Sequence, residues 1–223
     1  MRERSYCLLV EVLYTALYDD AYPFESLAAT IKRVIYPEHL ENPNSILVIW
    51  GGEDISPSYY KQIPNKFCGA GAHPSKRDVF EADLFKKAIE LKIPVIGVCR
   101  GAQLACAILG GSLVQHVTNH AGGAHGIATN GGEILITTSA HHQLMVPSAN
   151  GEVLAVPYNF INNKAEGRSD AYVGENNEFM IIDIEPEVVL YKDVRVLAVQ
   201  GHPEWMQIET PFVKYILSLS EKL

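Results

Sequence analysis

The sequence predicts an α/β fold with a mostly parallel central sheet, helices on both faces and a small antiparallel addition. Two short runs, ILVIW at 46–50 and PVIGV at 94–98, are continuously apolar, as in central parallel strands that are covered on both sides. Helical patterns follow strands through the first half of the chain, which is the order typical of parallel sheets. Short strand-like runs without helices between them fill the later part and predict the antiparallel addition.

The individual elements follow along the chain. Residues 6–13 are interpreted as a buried first strand rather than a signal peptide, because their apolar stretch is short and contains a glutamate. Apolar residues at helical spacing predict helices over 24–34, over 78–91 with Asp78 as the N-cap, and over 101–111. Later strands are predicted at 133–139, 153–158, 179–184, 188–191 and 195–200, and a closing helix near 209–221.

Composition and charge argue against several classes of function. The chain has 223 residues and a formal net charge of −8, which suits one domain over 1–223. An acidic chain without lysine and arginine clusters is a poor nucleic-acid binder, because neutralised phosphates supply most of that affinity. No apolar run reaches the ~18 residues that cross a membrane. The four cysteines fit neither a zinc site nor a disulfide scaffold, so a reducing, cytoplasmic setting is expected: Cys7, Cys68, Cys99 and Cys106.

Cys99 stands at a predicted strand–turn–helix junction in VIGVCRGAQ. Two flanking glycines, Gly97 and Gly101, leave room for the helix to approach the strand, as in the turn that exposes the nucleophile of serine hydrolases. The N–H groups at the start of the helix point at the thiol, and we expect them to lower its pKa. A small buried cysteine in a glycine-rich turn is the alternative that this motif alone leaves open.

A nucleophilic thiolate needs a base, and the base needs an orienting group. The segment LAVQGHPEW puts His202 just past an apolar strand, at the edge where open α/β sheets hold their sites. Glu204 lies two residues further on and can reach back to the imidazole. The sequence therefore predicts a triad of Cys99, His202 and Glu204, with a solvated turn histidine as the alternative.

Backbone N–H groups are the expected donors to the oxyanion that forms during acyl transfer. One candidate is the N–H of Arg100, the first residue after the nucleophile. The other is Gly52, which follows the strand at 46–50, although a glycine pair at this point could equally just form a turn.

Taken together, these segments resemble the class I glutamine amidotransferase superfamily and, within it, the gamma-glutamyl hydrolase-like branch, which includes gamma-glutamyl-GABA hydrolases. The motifs that carry the resemblance are GGEDISPSYY at 51–60, GVCRGAQ at 97–103, GGSLVQH at 110–116, TSAHHQ at 138–143 and QGHPE at 200–204. The resemblance implies the three-layer, flavodoxin-like fold of that superfamily. It also implies Cys99 as nucleophile, His202 as base, Glu204 as orienting acid, and an oxyanion hole at Gly52 and Arg100.

The resemblance further implies where the substrate binds. A glutamine-type substrate is held near positions that match four residues of this chain: Gln103, Ser139, His141 and His142. Gln103 lies one helical turn beyond Cys99, so its amide can meet the amino-acid end of a substrate.

The chain departs from the family pattern at three places. Thr138 replaces an asparagine, Gly201 replaces a tryptophan, and DIEPEVVLY at 183–191 is the nearest counterpart of the family's D-G-x-I-E-A stretch. All three lie outside the triad. They therefore bear on the group beyond the gamma-glutamyl amide rather than on the amide chemistry.

Three histidines in QHVTNHAGGAH, His116, His120 and His125, are candidate metal ligands. No cysteine or carboxylate nearby completes a regular ligand set, so we favour a polar surface or pocket-rim loop and predict no metal site. Three charged residues are expected only to cap and pair at a helix end: Arg77, Asp78 and Glu81.

The predicted reaction is the hydrolysis of a gamma-glutamyl amide, either glutamine or a gamma-glutamyl-amine, through a glutamyl-thioester on Cys99. It requires no metal or organic cofactor, and the partner is a small-molecule substrate rather than a nucleic acid or a membrane. Two alternatives stay open. One is a glutaminase subunit that delivers ammonia to a separate synthetase or amidoligase, and the other is a non-catalytic regulator on the same fold.

Overall fold

The computed structural model describes residues 9–15 and 20–223 and is built around one long mixed sheet. The strands are β1 (Leu9–Tyr14), β2 (Ala28–Arg33), β3 (Ser45–Ile49), β4 (Val95–Val98), β5 (Ser112–Val114), β6 (His116–Val117), β7 (Ala121–Thr129), β8 (Ile134–Ala140), β9 (Leu144–Val146), β10 (Glu152–Asn159), β11 (Lys164–Ala165), β12 (Tyr172–Val173), β13 (Val188–Tyr191) and β14 (Val196–Val199). The α-helices are α1 (Lys76–Glu90), α2 (Arg100–Ile108) and α3 (Pro211–Ser220). The first part of the strand predicted at 6–13, with Cys7, lies outside the described residues.

The main sheet has a parallel part and an antiparallel part. Its strand order is β2-β1-β3-β4-β14-β13-β10-β7-β8, and β11 pairs with β10. The strands from β2 to β14 are parallel to their neighbours, whereas the pairs from β14 to β8 are antiparallel. The predicted parallel sheet with an antiparallel addition is therefore confirmed.

Helices cover both faces of the parallel part. On β3, Leu47 belongs to the same buried cluster as Phe85 of α1, whereas the next residue, Val48, packs in a second cluster with Phe212 of α3. Successive side chains of a strand point to opposite faces, so a strand with both faces covered is apolar throughout. This explains the continuous apolar run at 46–50 and produces the three-layer arrangement.

Three neighbouring parallel strands end at the same edge of the sheet. Ile49 of β3 is paired with Gly97 of β4, and Val98 of β4 is paired with Val199 of β14. The loops that follow these strands therefore start side by side. They contain the glycine pair, Cys99 and His202, which are far apart in the sequence.

Two predicted elements are wrong. Residues 24–34 form a short 3-10 helix, Phe24–Leu27, followed by β2. Pairing with β1 decides this conformation, and five of the six β2 side chains are exposed, so the apolar spacing does not mark a buried helix face. The stretch 179–184 is not a strand, because only Phe179 makes an isolated bridge, to Val173.

Other differences concern boundaries and several strands that were not predicted, the longest of which is β7. Helix α1 begins at Lys76 with Ser75 as its N-cap, and Asp78 completes a capping box by accepting from the Ser75 N–H at 2.8 Å. β7 occupies part of a stretch that was predicted to be a loop. The prediction missed this strand because its glycines hide the strand pattern.

Across residues 9–15 and 20–223, none of the helices combines the length and apolar character that crossing a membrane requires.

Candidate active site

Cys99 lies in a strained turn between β4 and α2. Its φ is 50° and its ψ is −106°, which is unusual for a residue with a side chain. A Cβ on Gly97 would lie 2.5 Å from the Gly101 carbonyl oxygen, and a Cβ on Gly101 would overlap the Ile49 carbonyl. Both flanking glycines are therefore required by the close approach of α2 to β3 and β4, as predicted.

The Cys99 thiol is buried, with 7% of the residue exposed. Burial raises its pKa to about 12, the N–H of Arg100 lowers it in part, and the charges of Glu204 and Asp54 raise it further. The predicted lowering of this pKa by the start of α2 is thus outweighed by desolvation. A thiol in this state needs a neighbouring base before it can attack a carbonyl.

His202 and Glu204 form a buried hydrogen-bonded pair. His202 Nδ1 lies 2.8 Å from Glu204 Oε1, so in a neutral imidazole the Nδ1–H donates to the carboxylate and Nε2 carries the lone pair. Among the described residues, that Nε2 atom has no hydrogen-bond partner. The Trp205 ring stacks on the imidazole at 3.7 Å between centroids and covers it from one side.

Gly51 lies between the Cys99 and His202 side chains. A Cβ on Gly51 would be 3.1 Å from His202 Cε1 and 3.4 Å from Cys99 Cβ. The structure therefore brings the predicted nucleophile, base and acid together at the edge of three adjacent strands. A side chain at position 51 would occupy the space between them.

Two departures from the family pattern adjoin the His202 loop. The Thr138 hydroxyl donates to the His202 carbonyl at 2.7 Å, and the His202 N–H donates to the Thr138 carbonyl at 3.2 Å. A Cβ on Gly201 would overlap the Thr137 hydroxyl. Strand β8 therefore packs directly on this loop, and a side chain at position 201 would require the Thr137 hydroxyl to move.

Arg77 supports the loop that contains Gly52. Its Nη2 donates to the carbonyls of Gly51 at 2.7 Å and Trp50 at 3.2 Å, while its Nε donates to Glu81 at 3.0 Å. Gly52 has a φ of 136°, which favours glycine. The conformation of the candidate oxyanion loop is therefore held by a charged side chain from α1.

Glu81 also connects this support to the Cys99 turn. The Arg100 guanidinium is buried and pairs with both Glu81 and Asp78. Glu81 therefore joins Arg77, which holds one predicted oxyanion donor, to Arg100, whose N–H is the other. Arg77, Asp78 and Glu81 were predicted only to cap and pair at a helix end. The structure has the i, i+4 pair of Arg77 and Glu81 and also places both acids against Arg100.

The structure directs two of the predicted substrate residues into the protein interior. The Ser139 hydroxyl is buried and donates to the His120 carbonyl. His141 is also buried, and its Nδ1 lies 2.9 Å from the Gln143 carbonyl. Because the Ser139 hydroxyl and His141 Nδ1 already contact protein carbonyls, neither of these two atoms is free to bind a substrate.

Gln103 and His142 complete the predicted substrate set. Gln103 is buried, and its Nε2 donates weakly to the Gln143 carbonyl at 3.4 Å. His142 is partly exposed and lies 3.0 Å from Asp54 Oδ1, a hydrogen bond that raises the His142 pKa. Asp54 also lines a cavity of about 160 Å³ with Arg100. Sequence reasoning missed Asp54 as a site residue, although the GGEDISP motif contains it.

The histidines predicted to form a surface loop have different environments. His116 is partly buried and stacks on Phe67 at 4.2 Å between ring centroids. His120 and His125 are buried and contact Glu187, so the prediction of a polar loop is wrong for both. The carboxylate comes from a segment more than sixty residues away, which local spacing cannot reveal.

The model of the peptidase C26 family matches residues 35–165, which is more than half of the chain. The chain belongs to the peptidase C26 family. A Lactococcus lactis protein named as glutamine amidotransferase-like is 30% identical to this C26 chain over 196 residues, 81% of the chain and 77% of that protein. A Mycobacterium tuberculosis protein named as a glutamine amidotransferase is 32% identical over 189 residues. This match covers 77% of the chain and only 57% of that relative's length.

More distant relatives agree with the fold of this C26 member. The crystal structure of a Thermotoga maritima glutamine amidotransferase has a TM-score of 0.56 and 17% identity, covering 96% of this chain and 85% of that one. The carbamoyl phosphate synthase small chain of Helicobacter pylori is 26% identical over 178 residues, 78% of this chain and 39% of that protein. The fold is that of class I glutamine amidotransferases, and family membership indicates an enzyme of the cysteine hydrolase type.

Proposed function

We propose that Cys99, His202 and Glu204 form a catalytic triad that cleaves a gamma-glutamyl amide, as in the gamma-glutamyl hydrolase-like branch. The observation that carries the proposal is the convergence of Cys99 and His202 around Gly51, with His202 Nδ1 bonded to Glu204 and Nε2 left available. A buried thiol with a raised pKa and a neighbouring unprotonated imidazole nitrogen suit activation by a general base.

The proposed reaction proceeds through a thioester. His202 Nε2 takes the proton from Cys99 Sγ as the sulfur attacks the side-chain carbonyl carbon, and the N–H groups of Gly52 and Arg100 bind the oxyanion. The protonated imidazole then donates to the leaving amine as the carbon–nitrogen bond breaks. Water, deprotonated by His202, attacks the thioester, and glutamate leaves as the thiol regains its proton.

The amino-acid end of the substrate is assigned to Gln103 and His142. Gln103 lies one turn along α2 from the nucleophile, and its amide has both a donor and an acceptor. His142 is held by Asp54 in a partly exposed position, so its ring can offer positive charge to a carboxylate. Ser139 and His141 lie beneath this substrate site, and their hydrogen bonds to the carbonyls of His120 and Gln143 orient the end of β8.

Covalent labelling tests the nucleophile. Acivicin, which is bound in the structure of a Trypanosoma brucei CTP synthase glutaminase domain, is a suitable glutamine-like electrophile. We expect one adduct per chain, mapped to Cys99 by peptide mass spectrometry and absent from Cys99→Ala. The matched control is Cys106→Ser, which changes a buried core thiol and should keep the label. Persistent labelling of Cys99→Ala would overturn the assignment.

Ammonia delivery to a separate synthetase is the second candidate function, favoured by the similarity to the carbamoyl phosphate synthase small chain. Turnover on glutamine and on a panel of gamma-glutamyl-amines separates the two. A standalone hydrolase releases amines from the panel without a partner, whereas a glutaminase subunit prefers glutamine and accelerates when its synthetase is added. Absence of turnover on every substrate, with and without candidate synthetases, would instead indicate a regulator.

A further inference from the structure

Three buried histidines surround one buried carboxylate beside the candidate active site. His120 precedes β7, His125 lies within β7, and His141 follows β8, while Glu187 immediately precedes β13. All four residues are at most 5% exposed. None of them has a step in the proposed reaction, so the cluster needs a separate explanation.

The ligating atoms of the cluster are close together. Glu187 Oε1 lies 2.8 Å from His125 Nε2 and 3.3 Å from His120 Nδ1, and Glu187 Oε2 lies 3.9 Å from His141 Nε2. Four ligands about 2.1 Å from a tetrahedral zinc ion are about 3.4 Å apart. The three separations between Glu187 oxygens and histidine nitrogens differ from that value by up to about 0.6 Å, and the ligating atoms of His120, His125 and Glu187 all lie within 4.8 Å of one another.

His120 is oriented by a second carboxylate. Its Nε2 lies 3.0 Å from Glu185 Oε2, which leaves Nδ1 directed at Glu187. Glu185 is itself fixed by the N–H groups of Arg168 and Ser169 and by the Tyr172 hydroxyl. A histidine that donates one ring N–H to a well-held carboxylate and offers the other nitrogen is typical of metal ligands.

His141 supplies an independent observation. Its Nδ1–H donates to the Gln143 carbonyl, so the lone pair of Nε2 points into the cluster. Neither this nitrogen nor Glu187 Oε2 has a hydrogen-bond partner within the described part of the chain. Two buried electron-rich atoms that face each other without a donor are costly, and a cation between them would satisfy both.

We propose that His120, His125, His141 and Glu187 bind one divalent transition-metal ion, with Zn²⁺ as the first candidate. Three imidazoles and a carboxylate match the ligand preferences of zinc and its neighbours in the first transition series. Because four protein ligands fill a tetrahedral shell, the ion has a structural role and no open position for substrate.

The position of the cluster indicates what the ion stabilises. The Glu187 carbonyl accepts from the Gln200 N–H at 2.8 Å, two residues before His202. A bound ion would therefore connect the ends of β7 and β8 to Glu187, whose backbone is hydrogen-bonded to Gln200, between β14 and His202. His125 also lines a cleft of about 800 Å³, from which an ion would approach the cluster.

A proton network is the competing explanation for the cluster. Burial lowers the pKa of His120, but hydrogen bonds with Glu185 and Glu187 outweigh it and raise the pKa to about 9. An imidazolium at His120 would satisfy these two carboxylates in part. It would leave the facing atoms of His141 and Glu187 without a donor, which a metal ion would not.

Cobalt titration of the full chain tests the proposal. After removal of metal with a chelator, Co²⁺ should produce visible absorption of tetrahedral type that saturates at one ion per chain and is displaced by Zn²⁺. No thiolate-to-cobalt charge-transfer band should accompany it, since the ligands are imidazoles and a carboxylate. Absence of saturable absorption in the wild-type chain, or a thiolate band with one-to-one saturation, would overturn the proposal.

Three conservative variants and one control locate the ion. Glu187→Gln and His125→Asn should abolish the cobalt spectrum, and Glu185→Gln should weaken Co²⁺ binding about 10–100-fold. His116→Asn changes a nearby histidine outside the cluster and should bind as the wild type does. Zn²⁺ should raise the melting temperature of the wild type and of His116→Asn, raise that of Glu185→Gln only at higher concentration, and leave that of Glu187→Gln and His125→Asn unchanged. An unchanged spectrum in folded Glu187→Gln would refute the assignment.

Discussion

Replacing Glu204 with glutamine removes the negative charge beside His202 and keeps the size of the side chain. The two side chains are about 5% exposed and their nearest atoms are 2.8 Å apart. While His202 holds the proton in the proposed acyl transfer, the opposite charges are about 4 Å apart and attract each other by about 4 kcal/mol at an effective dielectric constant of 20. Because 1.36 kcal/mol corresponds to tenfold in rate, kcat/KM should fall about 10²–10³-fold.

The glutamine variant should keep the imidazole orientation. Glu204 Oε2 has no hydrogen-bond partner among residues 9–15 and 20–223, so the new amide is free to turn its oxygen towards Nδ1–H. Glu204→Ala loses this orientation too and should be slower than the glutamine variant. Both are measured as kcat/KM on a chromogenic gamma-glutamyl anilide, with circular dichroism to verify folding.

A surface substitution of the same kind is the control for this series. Glu209→Gln affects a carboxylate that is 80% exposed and paired with Lys214, so its kcat/KM should equal that of the wild type. If Glu204→Gln retains kcat/KM within about threefold of the wild type, less than 1 kcal/mol, the carboxylate does not stabilise the imidazolium and the reasoning fails.

Further predictions concern the turn, the thiol and the His142 pair. Gly101→Ala should lower the free energy of unfolding by about 1–3 kcal/mol in urea titrations. The methyl group of the control Gly71→Ala meets open space, so its free energy of unfolding should stay within about 0.5 kcal/mol of the wild-type value. Equal effects of the two variants would contradict the close approach of α2. The rate of Cys99 alkylation by iodoacetamide, followed by peptide mass spectrometry, should rise about tenfold per pH unit from pH 7 to 10, because burial raises the pKa of the thiol to about 12. A rate that is already constant near neutral pH would show that Cys99 is a thiolate there and would contradict this prediction. Asp54 raises the His142 pKa, so their pairing stabilises the fold fully below about pH 6.5 and loses this contribution as the pH rises through the raised pKa of His142. Asp54→Asn should lower the His142 pKa measured by NMR titration. An unchanged titration midpoint of His142 would refute the pairing.

Most of the parallel half of the fold was predictable because its signals are local. The runs at 46–50 and 94–98 are apolar because both faces of their strands are covered, and α1 shows its buried face in a regular period. The stretch 24–34 was mispredicted because pairing with β1, rather than local spacing, decides its conformation. Strand β7 was missed because its glycines weaken the pattern that marks a strand.

The same division applies to the candidate sites. The glycines around Cys99 and the spacing from His202 to Glu204 are local features, so the turn of the proposed nucleophile and the neighbouring acid were predictable from the sequence. The desolvation that raises the Cys99 pKa, and the carboxylate that contacts His120 and His125, became apparent only in the folded chain. Burial and contacts between distant segments arise from packing of the whole chain, and neither has a signature in local sequence spacing.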